Sequence, residues 1–237
     1  MAHARLLAPA RRLRCQLVAE TIEQFAAGRP IRLLDAGCGD GAFAELISRR
    51  HPSWTIVGAD LDGDLLSRGR RSAARGKIAN VEFVHADLTE DLGTEAYDAV
   101  AAIECLEEIP NDTQALRRMI AALRPAGLFM AHVPEHEWKP VLRGSAATWK
   151  HEVRHGYDPV ELGARLTALG LERVQIDATC RGLVRLAQEL RERVSSRRPA
   201  LRAVVSVPLL GAVWLERRGL TWGRGRALIV SARRPAR

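Results

Sequence analysis

From residue 31 onward, short runs rich in aliphatic and β-branched residues alternate with stretches patterned as amphipathic helices. Ile31–Ala36 reads as a first strand, Thr55–Asp60 as a second and Val81–His85 as a third. Tyr97–Ile103 and Gly127–Val133 follow as the fourth and fifth. Between them, Gly41–Arg50, Leu65–Ala74 and Thr113–Leu123 carry apolar residues at helical spacing. Repeated strand–helix–strand units of this length imply parallel strands covered on both faces by helices. Asp158–Leu169 adds a helix with an Asp-Pro start signal and Gly170 as its stop. Leu171–Ala178 and Arg226–Ala232 supply two more strands. A doubly wound α/β sheet of seven strands, the last antiparallel, is the expected architecture.

Two segments stand outside the alternation. Arg11–Ala27 is a plausible packing or lid helix, so residues 1–30 are expected to form an N-terminal helical segment. Residues 182–220 separate the last two strands, where a short turn would serve an antiparallel pair. Leu183–Val194 and Leu201–Arg218 look helical there, the second interrupted at Pro208. The expected division is therefore residues 31–181 with 221–237 as the main domain, and 182–220 as a helical insertion. That insertion would cover a substrate pocket or rest on a surface.

Composition narrows the function classes. With 237 residues, 47% of them hydrophobic and 27% charged, the chain can bury one sizeable core and is not a disordered sequence. Its longest nearly uncharged apolar run, Ala203–Leu215, covers 13 residues. A helix needs about 20 to span a bilayer, so no transmembrane segment is expected, though peripheral membrane contact stays open. Residues 1–14 lack an apolar core of the secretory kind, so no signal peptide is expected. Cys15, Cys38, Cys105 and Cys180 form no CxxC pair, which fits a reducing, cytoplasmic location better than a disulfide or zinc framework. The net charge of +8 comes from 36 basic residues, of which only Lys77, Lys139 and Lys150 are lysines. The arginines are dispersed without a long run, so a solvated surface is the expected reading and nucleic acid is not the expected partner.

The sharpest local signal is Leu33-Leu-Asp-Ala-Gly-Cys-Gly-Asp-Gly-Ala-Phe43, which leaves a strand, turns through three alternate glycines and enters a helix. Glycines there tolerate positive φ and let backbone N–H groups approach a ligand. Asp60 ends the second strand, where a carboxylate can accept two hydrogen bonds from ribose hydroxyls. Asp87 follows the third strand in Ala86-Asp87-Leu88, placed for a purine amino group. The fourth strand runs into Ile103-Glu-Cys-Leu-Glu-Glu-Ile109, and Leu123-Arg-Pro-Ala-Gly127 precedes the fifth.

In order and spacing these segments resemble the class I S-adenosylmethionine-dependent methyltransferases of the small-molecule type. The resemblance is dense over residues 31–133 and looser to 178 and through the final strand. It implies a Rossmann-like sheet, S-adenosyl-L-methionine as methyl donor and S-adenosyl-L-homocysteine as product. Residue by residue, it implies that Gly37, Cys38 and Gly39 line the methionine moiety, with Asp35 contacting its ammonium or bracing the loop. Asp60 would bind the ribose, Leu61 would pack on the adenine, and Asp87 with Leu88 would hold the adenine's amino edge. Ile103 and Glu104 would form the floor beneath the sulfonium. A nucleotide-dependent dehydrogenase would instead carry GxGxxG, which Gly37-Cys-Gly-Asp-Gly41 does not match.

The acceptor is less legible. Many relatives read Leu-Glu-His-Ile where this chain has Leu106-Glu-Glu-Ile109. Some use an E-x-x-E-H segment to hold a divalent metal, and Glu104 and Glu107 match part of it, with Glu108 in the histidine's place. A metal is therefore left open but not favoured. Val133-Pro-Glu-His-Glu-Trp138 and Trp149-Lys-His-Glu-Val-Arg-His-Gly-Tyr157 follow strand ends, where loops face the ligand cleft. His151 is the first candidate for general base, with His155 and His136 next. Trp138, Trp149 and Tyr157 would help to build the pocket. The expected reaction is methyl transfer to a hydroxyl oxygen of a small molecule, a natural product or glycoconjugate of secondary metabolism. A metal-assisted RNA 2′-O-methyltransferase and a non-methylating relative are the alternatives.

Overall fold

The computed structural model describes residues 9–139, 142, 153–194, 210–220, 223 and 225–236. Helix α1 (Pro9–Ala26) leads into β1 (Arg32–Ala36), α2 (Ala42–Arg50), β2 (Thr55–Asp60), α3 (Gly63–Arg75) and β3 (Val81–His85). Then come β4 (Tyr97–Ile103), a short 3-10 turn (Leu106–Glu108), α4 (Asp112–Ala122) and β5 (Leu123–Pro134). The chain closes with α5 (Pro159–Ala168), β6 (Glu172–Thr179), α6 (Gly182–Arg193), α7 (Leu210–Arg217) and β7 (Ala227–Arg233). The seven strands form one sheet in the order β3-β2-β1-β4-β5-β7-β6. β1 pairs in parallel with β2 and β4, while β7 runs antiparallel to both β5 and β6. The expected sheet is the observed one.

Period-two alternation distributes the strand residues between two cores. Leu34, Val57, Val100 and Phe129 face one layer, with Leu116 and Met119 of α4 and Leu162 of α5 packed on them. Leu33, Ile56, Ala101 and Met130 face the other, against Val18 and Ile22 of α1 and Ile47 of α2. Helix starts follow the local chemistry. Asp62 accepts from the N–H groups of Asp64 and Leu65 at α3, and Asp158 accepts from those of Val160 and Glu161 at α5.

The fifth strand starts earlier than its apolar run. Leu123 already pairs with Tyr97, and a register shift between Tyr97 and Ala99 takes up the Arg-Pro-Ala-Gly turn before Leu128 pairs with Ala99. Between β6 and β7, α6 and α7 are helical as expected, and residues 201–209 of the second helical run lie outside the described residues. Val184 of α6 and Ala212 and Val213 of α7 bury against Ala10 and Leu13 of α1, together with Cys180 and Ala227 at adjoining strand ends. This small third core lies beside the ends of β6 and β7. No described helix is long and apolar enough to cross a membrane.

Candidate active site

The loop from Gly37 to Gly41 crosses the carboxyl edge of the sheet between β1 and α2. The N–H groups of Gly37 and Cys38 donate to the Ala59 carbonyl at 2.8 and 3.0 Å. The N–H of Gly39 donates to Asp60 Oδ2 at 2.7 Å, and that of Asp62 to Asp60 Oδ1 at 2.9 Å. Each oxygen of Asp60 is thus held by one backbone donor and keeps a lone pair for another. Positive φ at Gly37, Gly39 and Gly41 makes the curvature of the loop accessible. Gly37 is also crowded. A Cβ there would sit 2.4 Å from Cys105 Cβ, so the loop lies directly on the chain leaving β4.

Beside the loop opens a cleft of about 410 Å³. Gly37, Asp60, Leu61, Asp87 and Leu88 line it, as do Cys105, Glu108 and Ile109 after β4. Leu61 is 62% exposed, an apolar side chain held at the mouth of the cleft, whereas Leu88 is buried. Asp87 accepts from the Thr89 N–H and hydroxyl through Oδ1, both at 2.8 Å. Those bonds hold its carboxyl below the usual range and use only one of its two oxygens.

The other five expected cofactor residues lie around this cleft without lining it. Cys38 is buried and turns its sulfur toward Gly58, so only its backbone reaches the loop's outer face. Gly39 acts through its N–H on Asp60. Ile103 packs against the core on the α1 side. Asp35 is 1% exposed and lies beneath the loop. Burial first, then the charges of Asp60 and Asp40, push its carboxyl up to about 7, against the Ala44 N–H and Arg11. Asp35 Oδ2 has no hydrogen-bond partner among the described residues. A buried acid with a free oxygen under a glycine loop suits the ammonium of an amino-acid moiety.

Glu104 adopts φ +52° just past β4, an uncommon conformation for a side-chain-bearing residue. Its carboxylate accepts from Arg14 of α1 at 3.2 Å and bonds His132 Nδ1 at 2.7 Å. Burial opposes ionisation, yet Arg14, His132 and Arg226 together hold it down at about 2. His132 is wholly buried in β5, and its Nε2 lies 2.9 Å from Thr179 Oγ1. A second arginine of α1, Arg11, reaches Asp40 in the glycine loop at 2.8 Å. Helix α1 is thereby tied both to the glycine loop and to the chain leaving β4. Sequence reasoning missed Arg14, His132 and Thr179. The one available signal was a histidine in the middle of an apolar strand.

The histidine candidates separate. His151 lies outside the described residues, as does Trp149. His155 and His136 are both exposed, and neither lines the cleft beside Gly37. His136 instead borders a second cavity of about 310 Å³ with Trp138 and Arg185. Tyr157 corrects an expectation. It is 6% exposed, donates to Asp112 Oδ2 at 2.8 Å and accepts from Arg154 at 2.9 Å. It ties its loop to the start of α4 instead of walling a pocket. Among the described residues, no group of three histidine, cysteine or acidic side chains is arranged to hold a metal. At Glu104 both carboxylate oxygens are already engaged, one by Arg14 and the other by His132.

Comparison with known proteins agrees with this fold. A family profile described as a methyltransferase domain matches residues 10–176. The trans-aconitate 2-methyltransferase of Rhodopseudomonas palustris is 27% identical over 139 residues, 56% of this chain and 52% of that protein. The chain spans about half the length of the curated relatives it matches. Among solved structures, the (4+2)-cyclase SpnF superposes with a TM-score of 0.66 at 22% identity, over 93% of this chain and 81% of that one. Phosphoethanolamine N-methyltransferase 2 of Haemonchus contortus, in complex with S-adenosyl-L-methionine, gives 0.66 at 16% identity, over 90% and 51%. At those identities the two structures share the fold.

Proposed function

This chain belongs to the class I S-adenosylmethionine-dependent methyltransferase family, and from that membership we propose that it methylates an oxygen of a small molecule. The observation that carries the reading is Asp60, pinned by two backbone N–H groups at the rim of a cleft edged by Leu61 and Asp87. That arrangement suits a ribose diol flanked by a purine, with Asp35 Oδ2 beneath the loop for the amino-acid end. S-adenosyl-L-methionine supplies an already activated methyl group. The chain's own task is then to align an acceptor with it and to receive a proton. Glu104, kept anionic by Arg14 and His132, would supply fixed negative charge on the floor beneath the sulfonium. The helical layer of α1, α6 and α7 would serve as the wall on the acceptor side, with residues 182–220 as its inserted part.

A hydroxyl is the acceptor group we favour, and secondary metabolism in the cytoplasm the setting. The relatives named for trans-aconitate act on a carboxylic acid. Incubation with labelled donor and two panels, alcohols or phenols and carboxylic acids, decides between the two. Mass spectrometry detects product, and mild alkali cleaves methyl esters but not methyl ethers. Alkali-stable product supports the hydroxyl, while alkali-labile product replaces it by a carboxylate. Tight cofactor binding with no product from either panel would point to a non-methylating role on the same fold.

For the base we propose one of His151, His155 and His136, with His151 first. His151→Ala should slow methyl transfer by about 10²–10⁴-fold while S-adenosylhomocysteine still binds. A variant that stays within a few-fold of wild type passes the role to His155 or His136. A pH–rate profile without a limb near about 6–7 removes all three.

Asp35 makes a separate, pH-dependent prediction. Its folded pKa of about 7 lies above the unfolded value near 4. The protonated acid therefore stabilises the ligand-free fold fully below pH about 4, and that contribution is lost as pH rises through about 7. A cationic ammonium beside it favours the ionised form, so affinity for S-adenosylhomocysteine should climb with pH until Asp35 has titrated. Asp35→Asn should flatten this climb in calorimetry. An equal climb in the variant would place the ammonium elsewhere.

A further inference from the structure

The opposite edge of the sheet, where the parallel strands begin, carries a cavity of about 450 Å³ that the methyl-transfer site does not use. It lies about 20 Å from the glycine loop, the length of the strands between them. Five arginines line it, Arg29, Arg124, Arg173, Arg233 and Arg234, against two acids, Asp98 and Glu172.

The charges do not cancel. Arg124 makes two bonds of 2.8 Å to Asp98, which also accepts from the Arg32 N–H. Arg234 is engaged by Glu95 at 3.1 Å and by the carbonyls of Ala121 and Leu123. Arg29, Arg173 and Arg233 have no carboxylate partner among the described residues, although Glu172 stands beside them. Arg233 lies 4.3 Å over the Phe25 ring and Arg29 lies 5.9 Å from it, so the aromatic face steadies two guanidinium groups at one wall. Arg173 and Arg233 line the same cavity, and burial with the neighbouring charge of Arg173 pushes the Arg233 guanidinium below its usual range.

The backbone is shaped to bring them there. The β6–β7 register shifts between Glu172, paired with Arg233, and Gln175, paired with Ser231. Within that bulge Arg173 takes φ +52°, and across the cavity Ala126 takes φ +61°. Bulges re-aim side chains, and left-handed backbone at residues other than glycine persists where the surroundings enforce it. Like charges gathered at one mouth repel unless an anion joins them, and guanidinium forks match phosphate oxygens in pairs.

We propose that this cavity is a binding site for a compact phosphate-bearing anion, held chiefly by Arg173, Arg233 and Arg29. Such a ligand reaches the protein either free in solution or as a phosphate-bearing headgroup at a membrane surface. The full chain is titrated with inorganic pyrophosphate in the calorimeter, against sodium chloride of matched ionic strength. In parallel it is sedimented with phosphatidylcholine vesicles, with or without phosphatidic acid. Saturable binding at one site per chain, weakened at least about tenfold in Arg173→Gln/Arg233→Gln, is the expected result. S-adenosylhomocysteine affinity and the melting temperature of that variant should match wild type, which separates a lost site from a lost fold. Pyrophosphate binding assigns the free ligand, and retention only by phosphatidic acid vesicles assigns the headgroup. Neither signal, or one that chloride reproduces or the double variant retains, overturns the proposal. A failure here leaves the cofactor reading untouched, since that rests on the other edge of the sheet.

Discussion

Asp60→Ala should weaken binding of S-adenosylhomocysteine by about 1.5–3 kcal/mol, roughly 10- to 150-fold in affinity. Two losses combine. The ribose hydroxyls lose a charge-assisted acceptor, and the Gly39 N–H, now 2.7 Å from Asp60 Oδ2, loses the partner that draws the glycine loop over the cleft. Asp60→Asn keeps one carbonyl oxygen and should fall between the variant and wild type. Calorimetry checks all three proteins, and circular dichroism checks that α2 and α3 persist. An unchanged affinity in Asp60→Ala would remove the ribose from this carboxylate and the cofactor from this cleft.

The second large effect is steric. Gly37→Ala should destabilise the chain by about 2–5 kcal/mol, because two costs fall on one residue. Its φ of +71° is strained for any residue with a side chain, and the new Cβ would lie 2.4 Å from Cys105 Cβ and 2.7 Å from Cys105 Sγ. Cys105 cannot simply turn away, since it is buried and its thiol donates to the Ala36 carbonyl at 3.2 Å. Gly39→Ala is the control. That position is also left-handed, at φ +54°, but nothing lies within 4 Å of its Cβ site. Only the backbone cost of about 1–2 kcal/mol should appear there. Urea denaturation of the two variants therefore separates crowding from conformation. Equal losses would mean that the loop does not press on the β4 end as described. Cys105→Gly added to Gly37→Ala should restore the steric part and leave the conformational part.

Much of the site was legible because its residues sit in local patterns. Asp60 ends its strand, Leu61, Asp87 and Leu88 follow strand ends within three residues, and strand ends in an open parallel sheet meet at one edge. The histidines were not decided so easily. His136 and His155 stood in loops of suitable composition, yet the backbone turns both side chains into solvent. His132 read as an ordinary strand position, and only the sheet brings its ring between Glu104 and Thr179, which are 75 residues apart in the chain. Tyr157 looked like a pocket aromatic until Asp112 and Arg154 claimed its hydroxyl.

Period-two and helical apolar patterning, with the glycine turn and the acids after the strands, was enough to determine a doubly wound sheet and the edge at which that turn and those acids meet. Those features are local, because backbone geometry dictates which residues share a face. The pairing of Arg14 with Glu104 and the burial of Asp35 beneath its loop were decided only by tertiary structure. So was the gathering of Arg29, Arg173 and Arg233 at the far edge of the sheet. Charge and burial are properties of neighbours in space, and the sheet order β3-β2-β1-β4-β5-β7-β6 makes neighbours of residues that the chain keeps far apart.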